Sequence, residues 1–310
     1  MSHRDFSNVQ VMRKPDESSG IQLKKFKEVI RNKYGAKIDN YLELHKWTVE
    51  NLAEFWAELW DFVGIISSKK FDQVIDLTIP MYKCPEWFKG ARLNFAENLL
   101  RYRDERIAII SEGEDKEAKH FTFAEMFKEA RLYSAAFRKF GIKKGDVVAC
   151  YMSNREEAIF GLQATTSIGA IWTGVLPLLG AQAVINRFKQ VKPKILLTID
   201  RYQNNQEEIE MLPKVKDVIN GISSIQKVVI VPSKKESKLK DISDIRNSVF
   251  LDEFLRLGID DDGIIPPMEF EQVSFSHPVF ISYTSGTTGL PKPIIHGCGV
   301  CVSFKQSTII

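Results

Sequence analysis

The segment Thr284-Ser285-Gly286-Thr287-Thr288-Gly289-Leu290-Pro291-Lys292 is the part of this 310-residue chain best equipped for chemistry. Two glycines separated by two threonines let the backbone turn tightly and bring several N–H groups onto one concave face, a nest suited to an anion. Ser285, Thr287 and Thr288 add hydroxyl donors, and Lys292 adds a mobile ammonium able to follow a polyphosphate as it leaves. This donor set fits the phosphates of ATP. A generic Gly/Ser/Thr cluster is more often an ordinary surface turn, so the order of residues carries the argument. The segment is not a Walker A loop, which needs G-x-x-x-x-G-K-[ST], because Pro291 precedes Lys292 and Pro293 follows it. Nor is it G-x-G-x-x-G. P-loop NTPases, kinases and dinucleotide dehydrogenases are disfavoured together.

A short apolar strand, Pro278 to Tyr283, delivers the chain into this segment. Upstream, strand and helix patterns alternate. Ile107 to Ile110 reads as a strand, and Thr122 with Glu125 forms a capping box for a helix that stops near Gly141. Asp146 to Met152 reads as a buried strand, Asn154 to Ile168 as a helix capped by Asn154, and Ala170 to Leu176 as another strand. Gln182 to Val191 reads as a helix, Lys194 to Ile199 as a strand, Glu207 to Ile219 as a helix and Lys227 to Val231 as a strand. Such alternation predicts parallel βαβ units with right-handed crossovers, an α/β fold of layered parallel-sheet subdomains. From Ser233 to Pro267 the chain is polar, with the run Lys234 to Lys240, and reads as a solvated loop.

Nearer the N-terminus, Leu52, Phe55, Trp56, Leu59, Trp60 and Val63 share one helical face, with Thr48 as the expected cap and Gly64 as the stop. An aromatic stripe at this spacing is core rather than a cofactor box. The uncharged run from Ala158 to Asn186 is long enough to span a bilayer, but polar residues interrupt it and Gly169 and Pro177 punctuate it, so it reads as a buried helix and strand.

The chain carries 43 basic and 40 acidic residues, a formal charge of +3, which is too weak to supply the field that nucleic-acid binding needs. With 44% hydrophobic residues the composition is that of a globular protein. Four cysteines are too sparse for a disulfide framework, which points to a reducing compartment such as the cytosol. Cys298 and Cys301 form a lone C-x-x-C without two further ligands at zinc spacing, so no metal site is expected. His277 and His296, each beside a strand, read as packing residues rather than catalysts.

Thr284 to Lys292, extended by His296, resembles the signature of the adenylate-forming superfamily of acyl-CoA synthetases, luciferases and peptide-synthetase adenylation domains. Gly141-Ile142-Lys143-Lys144-Gly145-Asp146-Val147-Val148, then Ile168-Gly169-Ala170 and Pro177, resemble its upstream landmarks in the usual order. Phe55-Trp56, Trp87-Phe88-Lys89-Gly90 and Leu93-Asn94-Phe95-Ala96-Glu97-Asn98 resemble the short-chain branch. Within it, Ala91 to Leu100, Asn247 to Asp252 and Phe275-Ser276-His277-Pro278 are most similar to the acetoacetyl-CoA synthetases.

The resemblance implies a two-step ligase: a carboxylate attacks the α-phosphorus of Mg-ATP to give an acyl-adenylate and pyrophosphate, then the coenzyme A thiol displaces AMP. It implies acetoacetate, ATP and CoA as small-molecule substrates, with Mg2+, and acetate or another short acid as the competing choice. Thr284, Ser285, Gly286, Thr287, Thr288, Gly289 and Lys292 are implied to hold ATP phosphates, with Lys292 catalytic. It implies a helical extension over 1–100, a first α/β subdomain over 101–232, a polar linker over 233–270 and the start of a second α/β subdomain over 271–310. The chain departs from the family pattern at Pro293, where most relatives carry glycine, and near Arg201, where the acetyl-CoA branch has an arginine pair for CoA phosphates. It also corresponds to the front half of such an enzyme. One expectation is a part of an active ligase; the other is a short product without ligase activity that binds nucleotide phosphate or a partner and exposes apolar surface.

Overall fold

Apolar runs bounded by capping and turn residues set the layout of the chain in its computed structural model, which describes residues 20–114, 116–284 and 289–301. These residues divide into two compact units, 20–65 and 66–301.

The first unit holds three helices, α1 (Ile21–Tyr34), α2 (Tyr41–Glu50) and α3 (Leu52–Phe62). Gly35 closes α1 at φ 63°, and Asn40 with Glu43 forms the capping box of α2. The expected cap Thr48 lies inside α2, where its hydroxyl donates to the His45 carbonyl, and the chain breaks instead at Asn51. Of the expected stripe, Leu59 and Trp60 are buried and Leu52, Phe55, Trp56 and Val63 are half-buried, and Phe26 meets Phe55 and Phe62 edge-on at ring-centroid distances of 5.9 and 5.1 Å. Buried Glu58 is satisfied by Lys33 and by the Tyr34 hydroxyl. Burial and the Glu58 carboxylate push that hydroxyl up to about 12.

The second unit opens with β1 (Ser67–Lys69), β2 (Arg92–Leu93) and α4 (Phe95–Leu99), followed by the hairpin β3 (Ile107–Gly113) and β4 (Lys116–Thr122). Then come α5 (Phe123–Phe140), β5 (Val147–Tyr151), α6 (Glu156–Ser167), β6 (Ile171–Val175), α7 (Ala181–Val191) and β7 (Ile195–Ile199). The hairpin β8 (Arg201–Asn204) and β9 (Glu207–Glu210) precedes α8 (Leu212–Gly221) and β10 (Lys227–Val231). The chain continues through β11 (Ser248–Phe250), α9 (Leu251–Leu255), β12 (Pro278–Tyr283) and β13 (Pro293–Gly297).

Seven strands form one sheet in the order β11-β10-β7-β5-β6-β12-β13, parallel throughout except for the last pair. The α/β expectation is met. Every residue of β5 and β7 is buried, as expected of strands covered on both faces. The capping box of Thr122 and Glu125 starts α5, and Gly141 ends it at φ 104°. Tyr133, Phe137, Phe160, Phe188 and the strand residues Val148, Ile195, Leu197 and Val229 belong to one continuous core.

Three further local expectations fail. Residues 207–210, read as the start of a helix, are a strand, because Asn205 and Gln206 adopt φ of 51° and 67° and turn the chain back on β8. Asn154 does not cap α6, which starts at Glu156 with no side-chain cap bond. The polar stretch from Ser233 to Pro267 contains β11 and α9: Ser248, Val249 and Phe250 pair in parallel with Val228, Val229 and Ile230, and Phe254 packs into the core.

Candidate functional site

β12 enters the sheet beside β6, with Phe280 opposite Trp172 and Ile281 opposite Thr173. Its alternate residues Val279 and Ile281 are buried, which fixes the face the strand presents. The buried Thr173 hydroxyl donates to the Ile281 carbonyl at 2.9 Å and lies 3.2 Å from the Tyr283 hydroxyl. Burial raises the pKa of that Tyr283 hydroxyl. The Arg187 guanidinium sits 5.9 Å from the Tyr283 ring centroid. The last residue before the segment 284–292 is therefore held on two sides.

The segment leaves and re-enters the sheet at one point. Tyr283 pairs with Pro293 across β12 and β13, and the Thr284 N–H donates to the Lys292 carbonyl at 3.2 Å. Gln190 of α7 donates to the Pro291 carbonyl at 2.9 Å. Gly289 has φ 118°, a conformation that favours glycine. Lys292 is exposed and makes no ion pair with any described residue. Pro293 opens an edge strand, where its missing N–H costs no ladder bond. Of the residues expected to hold phosphate, Thr284, Gly289 and Lys292 are brought to this hairpin; Ser285, Gly286, Thr287 and Thr288 lie outside the described residues.

The two histidines pack against neighbouring strands and turns. His277 Nε2 is 2.8 Å from the Gly169 carbonyl, and the His296 ring stacks on Phe280 at 4.6 Å. Cys298 and Cys301 are buried and form no disulfide, and burial raises the pKa of the Cys298 thiol. Among the described residues no group of three or more His, Cys, Asp or Glu could hold a metal ion, and no helix is long and apolar enough to cross a membrane.

Sequence reasoning missed a cavity of about 260 Å³ at the carboxyl ends of β5, β7 and β10. Lys119, Arg155, Arg201 and Lys234 line it, and each is partnered by a carboxylate. Lys119 reaches Glu156 at 3.0 Å, Arg155 grips Glu157 with two bonds of 2.8 and 2.9 Å, and Arg201 bonds Asp200 at 2.8 Å. Glu208 also accepts from both Arg201 and Lys234. Burial pushes the Asp200 carboxyl up, but bonds from Ser237, Arg201 and Ser233 outweigh it and leave its pKa lowered. Glu156 behaves alike: desolvation is outweighed by the Ser111 hydroxyl and Lys119. Asp200-Arg201 directly after an apolar strand was the available signal.

Residues 41–99 match the family described as acetyl-coenzyme A synthetase N-terminus, and residues 95–308 that described as AMP-binding enzyme. The chain is 43% identical over 297 residues to acetoacetyl-CoA synthetase of Xenopus tropicalis, covering 95% of this chain and 44% of the relative. To acetoacetyl-CoA synthetase of Macaca fascicularis it is 41% identical over 292 residues, covering 94% of this chain and 43% of the relative. A malonamoyl-CoA synthetase of Penicillium aethiopicum is 33% identical over 306 residues, with 93% and 41% covered. Among solved structures, acetoacetyl-CoA synthetase from Streptomyces lividans superposes with a TM-score of 0.84 at 28% identity, covering 95% of this chain and 44% of that one. The chain thus spans less than half the length of these relatives. With the match running from α4 through the segment 284–292, the chain belongs to the AMP-binding enzyme family.

Proposed function

We propose that the chain supplies the ATP-phosphate-binding part of a cytosolic ligase that activates acetoacetate to acetoacetyl-CoA through an acyl-adenylate, releasing AMP and pyrophosphate. The observation that carries this reading is Lys292, an exposed cation at the exit of a hairpin pinned at its base, directly after a strand of the parallel sheet. In this reading the backbone and hydroxyl donors of Thr284, Ser285, Gly286, Thr287, Thr288 and Gly289 hold ATP phosphates. Lys292 neutralises charge that develops on the departing pyrophosphate, a stabilisation stronger in the transition state than in the ground state. Mg2+ arrives with ATP and shares that neutralisation, and CoA is the second acceptor. The choice of acetoacetate rests on the names of the relatives at 39–43% identity.

The test is radiolabelled pyrophosphate exchange into ATP by the native protein isolated from its source cells. Acetoacetate is expected to support exchange well above acetate or malonamate. Equal exchange with acetate overturns the substrate, and Mg-ATP binding that is indifferent to Lys292→Ala overturns the phosphate site.

A second reading is a phosphate-binding or interaction module without ligase activity. It is favoured by Leu290, Ile294 and Ile295, which are 65%, 46% and 60% exposed beside and along the edge strand β13. An apolar strip on a sheet edge is a surface that a partner would cover. This reading predicts Mg-ATP binding with no exchange under any carboxylate.

A further inference from the structure

We propose that Gln190 of α7 is a positioning residue for Lys292, fixing the backbone from which the lysine reaches phosphate; this rests on the reading of Lys292 given above. Gln190 Nε2 donates to the Asn186 carbonyl one turn back and to the Pro291 carbonyl, each at 2.9 Å. The first bond fixes the rotamer, and the second then fixes the plane of the Pro291–Lys292 peptide. On the other side of Lys292, its carbonyl accepts from the Thr284 N–H at 3.2 Å. Pro293 bars Lys292 from the helical region and leaves the following peptide without a donor. That peptide can be held only through its oxygen, so the bond from Gln190 is the second anchor of the Lys292 backbone.

The same face of α7 also meets the entry to the segment. Arg187, three residues before Gln190, lies against the Tyr283 ring, and its carbonyl is 3.5 Å from the Tyr283 hydroxyl. One helix face therefore touches the chain on both sides of the phosphate segment, Tyr283 going in and Pro291 coming out. A glycine after the lysine would let its backbone swing. With Pro293 in that place the lysine is aimed by the Thr284 bond on one side and, on its N-terminal side, by the Gln190 bond from α7.

The experiment uses the full 310-residue chain and its variants Gln190→Ala, Gln190→Glu, Gln190→Lys and Lys292→Ala. Two readouts are taken: hydrogen exchange of the Thr284 amide, with the buried Val229 amide of β10 as internal standard, and Mg-ATP affinity by equilibrium dialysis. Loss of one solvent-facing hydrogen bond is expected to speed Thr284 exchange and weaken Mg-ATP binding by about twofold to tenfold in the Ala and Glu variants. Gln190→Lys, which restores a donor, is expected to recover both, with Val229 unchanged throughout. Unchanged Thr284 exchange and Mg-ATP affinity in Gln190→Ala, while Lys292→Ala weakens binding, overturns the positioning role. Parallel loss of protection at Val229 also overturns it, because the effect is then global. If Lys292→Ala leaves Mg-ATP affinity unchanged, the phosphate reading has failed instead, and the Thr284 readout shows separately whether the clamp exists.

Discussion

Replacing Asn94 tests whether a motif shared with the short-chain synthetases serves the fold or the substrate. Asn94 is fully buried before α4. Its Oδ1 caps the helix by accepting from the Glu97 N–H at 3.1 Å, and its Nδ2 donates to the carbonyls of Thr166, Ser167 and Glu271 at 3.0, 3.2 and 2.8 Å. One amide thus joins α4, the end of α6 and the stretch leading to β12. In Asn94→Ala the cap loss costs about 1 kcal/mol. The Thr166 and Ser167 carbonyls keep a second donor, from the Gly169 and Glu271 N–H groups, so only the Glu271 carbonyl loses its sole described partner. That adds about 1–1.5 kcal/mol, for a total of about 2–3 kcal/mol. Asn94→Asp keeps the cap acceptor but buries a carboxylate against three carbonyls, and is expected to cost about 3–5 kcal/mol. Urea unfolding followed by tryptophan fluorescence would read the alanine variant as a midpoint fall of roughly 1 M, for a slope of about 2–3 kcal/mol per molar. An Asn94→Asp variant as stable as the parent would refute the clasp and return the motif to the substrate.

Three other outcomes follow from the packing and the charges. Gly258→Ala places a Cβ 2.6 Å from the Leu132 carbonyl and 2.8 Å from the Ala136 nitrogen of α5, and a loss of about 1–3 kcal/mol in thermal unfolding is expected. Asp200→Asn keeps an acceptor for the Ser233 N–H but removes the charge facing Arg201, at a cost of about 2 kcal/mol at neutral pH. Because the folded carboxyl sits below its ordinary 3.8, the stability it contributes is present above that value and fades as the pH falls through the folded pKa, so parent and variant should converge in acid. Native alkylation is expected to modify Cys84, which is exposed, and to spare Cys150, whose thiol burial pushes up to about 12, and the buried Cys298 and Cys301; fast modification of Cys150 would contradict the packed core around β5.

The elements read correctly from sequence are those whose signals are local. β5 is a continuous apolar run, β7 is one broken only by Thr198, and α5 announces itself by Thr122, Glu125 and Gly141. The misread elements depend on distant partners. β8 and β9 are joined by Asn205-Gln206, which takes the left-handed turn without the glycine that would have advertised it, and Ile209 and Leu212 then continue into a helical spacing. β11 is three residues long and exists because Val228 to Ile230 lie alongside it. At the candidate site, the residues proposed to hold phosphate were visible as a motif, whereas Gln190 was not: its contact with Pro291 spans 101 positions, and a glutamine in the last turn of a helix carries no local signal.

Geometry and motif point to two places on the same edge of the sheet, and the two differ in charge. The order β6-β5-β7-β10-β11 places a topological switch between β5 and β7, where connections leave in opposite directions and ligands of open α/β sheets usually bind. The cavity lies there, but its four cations are already neutralised by Glu156, Glu157, Asp200 and Glu208, so a phosphate would have to break existing pairs to enter. Lys292, beyond β6 and β12, makes no such pair among the described residues. A charge-assisted contact of about 1.5–3 kcal/mol therefore predicts that Lys292→Ala weakens Mg-ATP binding roughly tenfold to a hundredfold, while Arg201→Ala changes it by less than about twofold. Both are read in one equilibrium-dialysis series at fixed salt, since screening alters exposed contacts more than buried ones. The reverse pattern, with Arg201 carrying the affinity, would place the nucleotide at the switch point and refute the assignment to the hairpin.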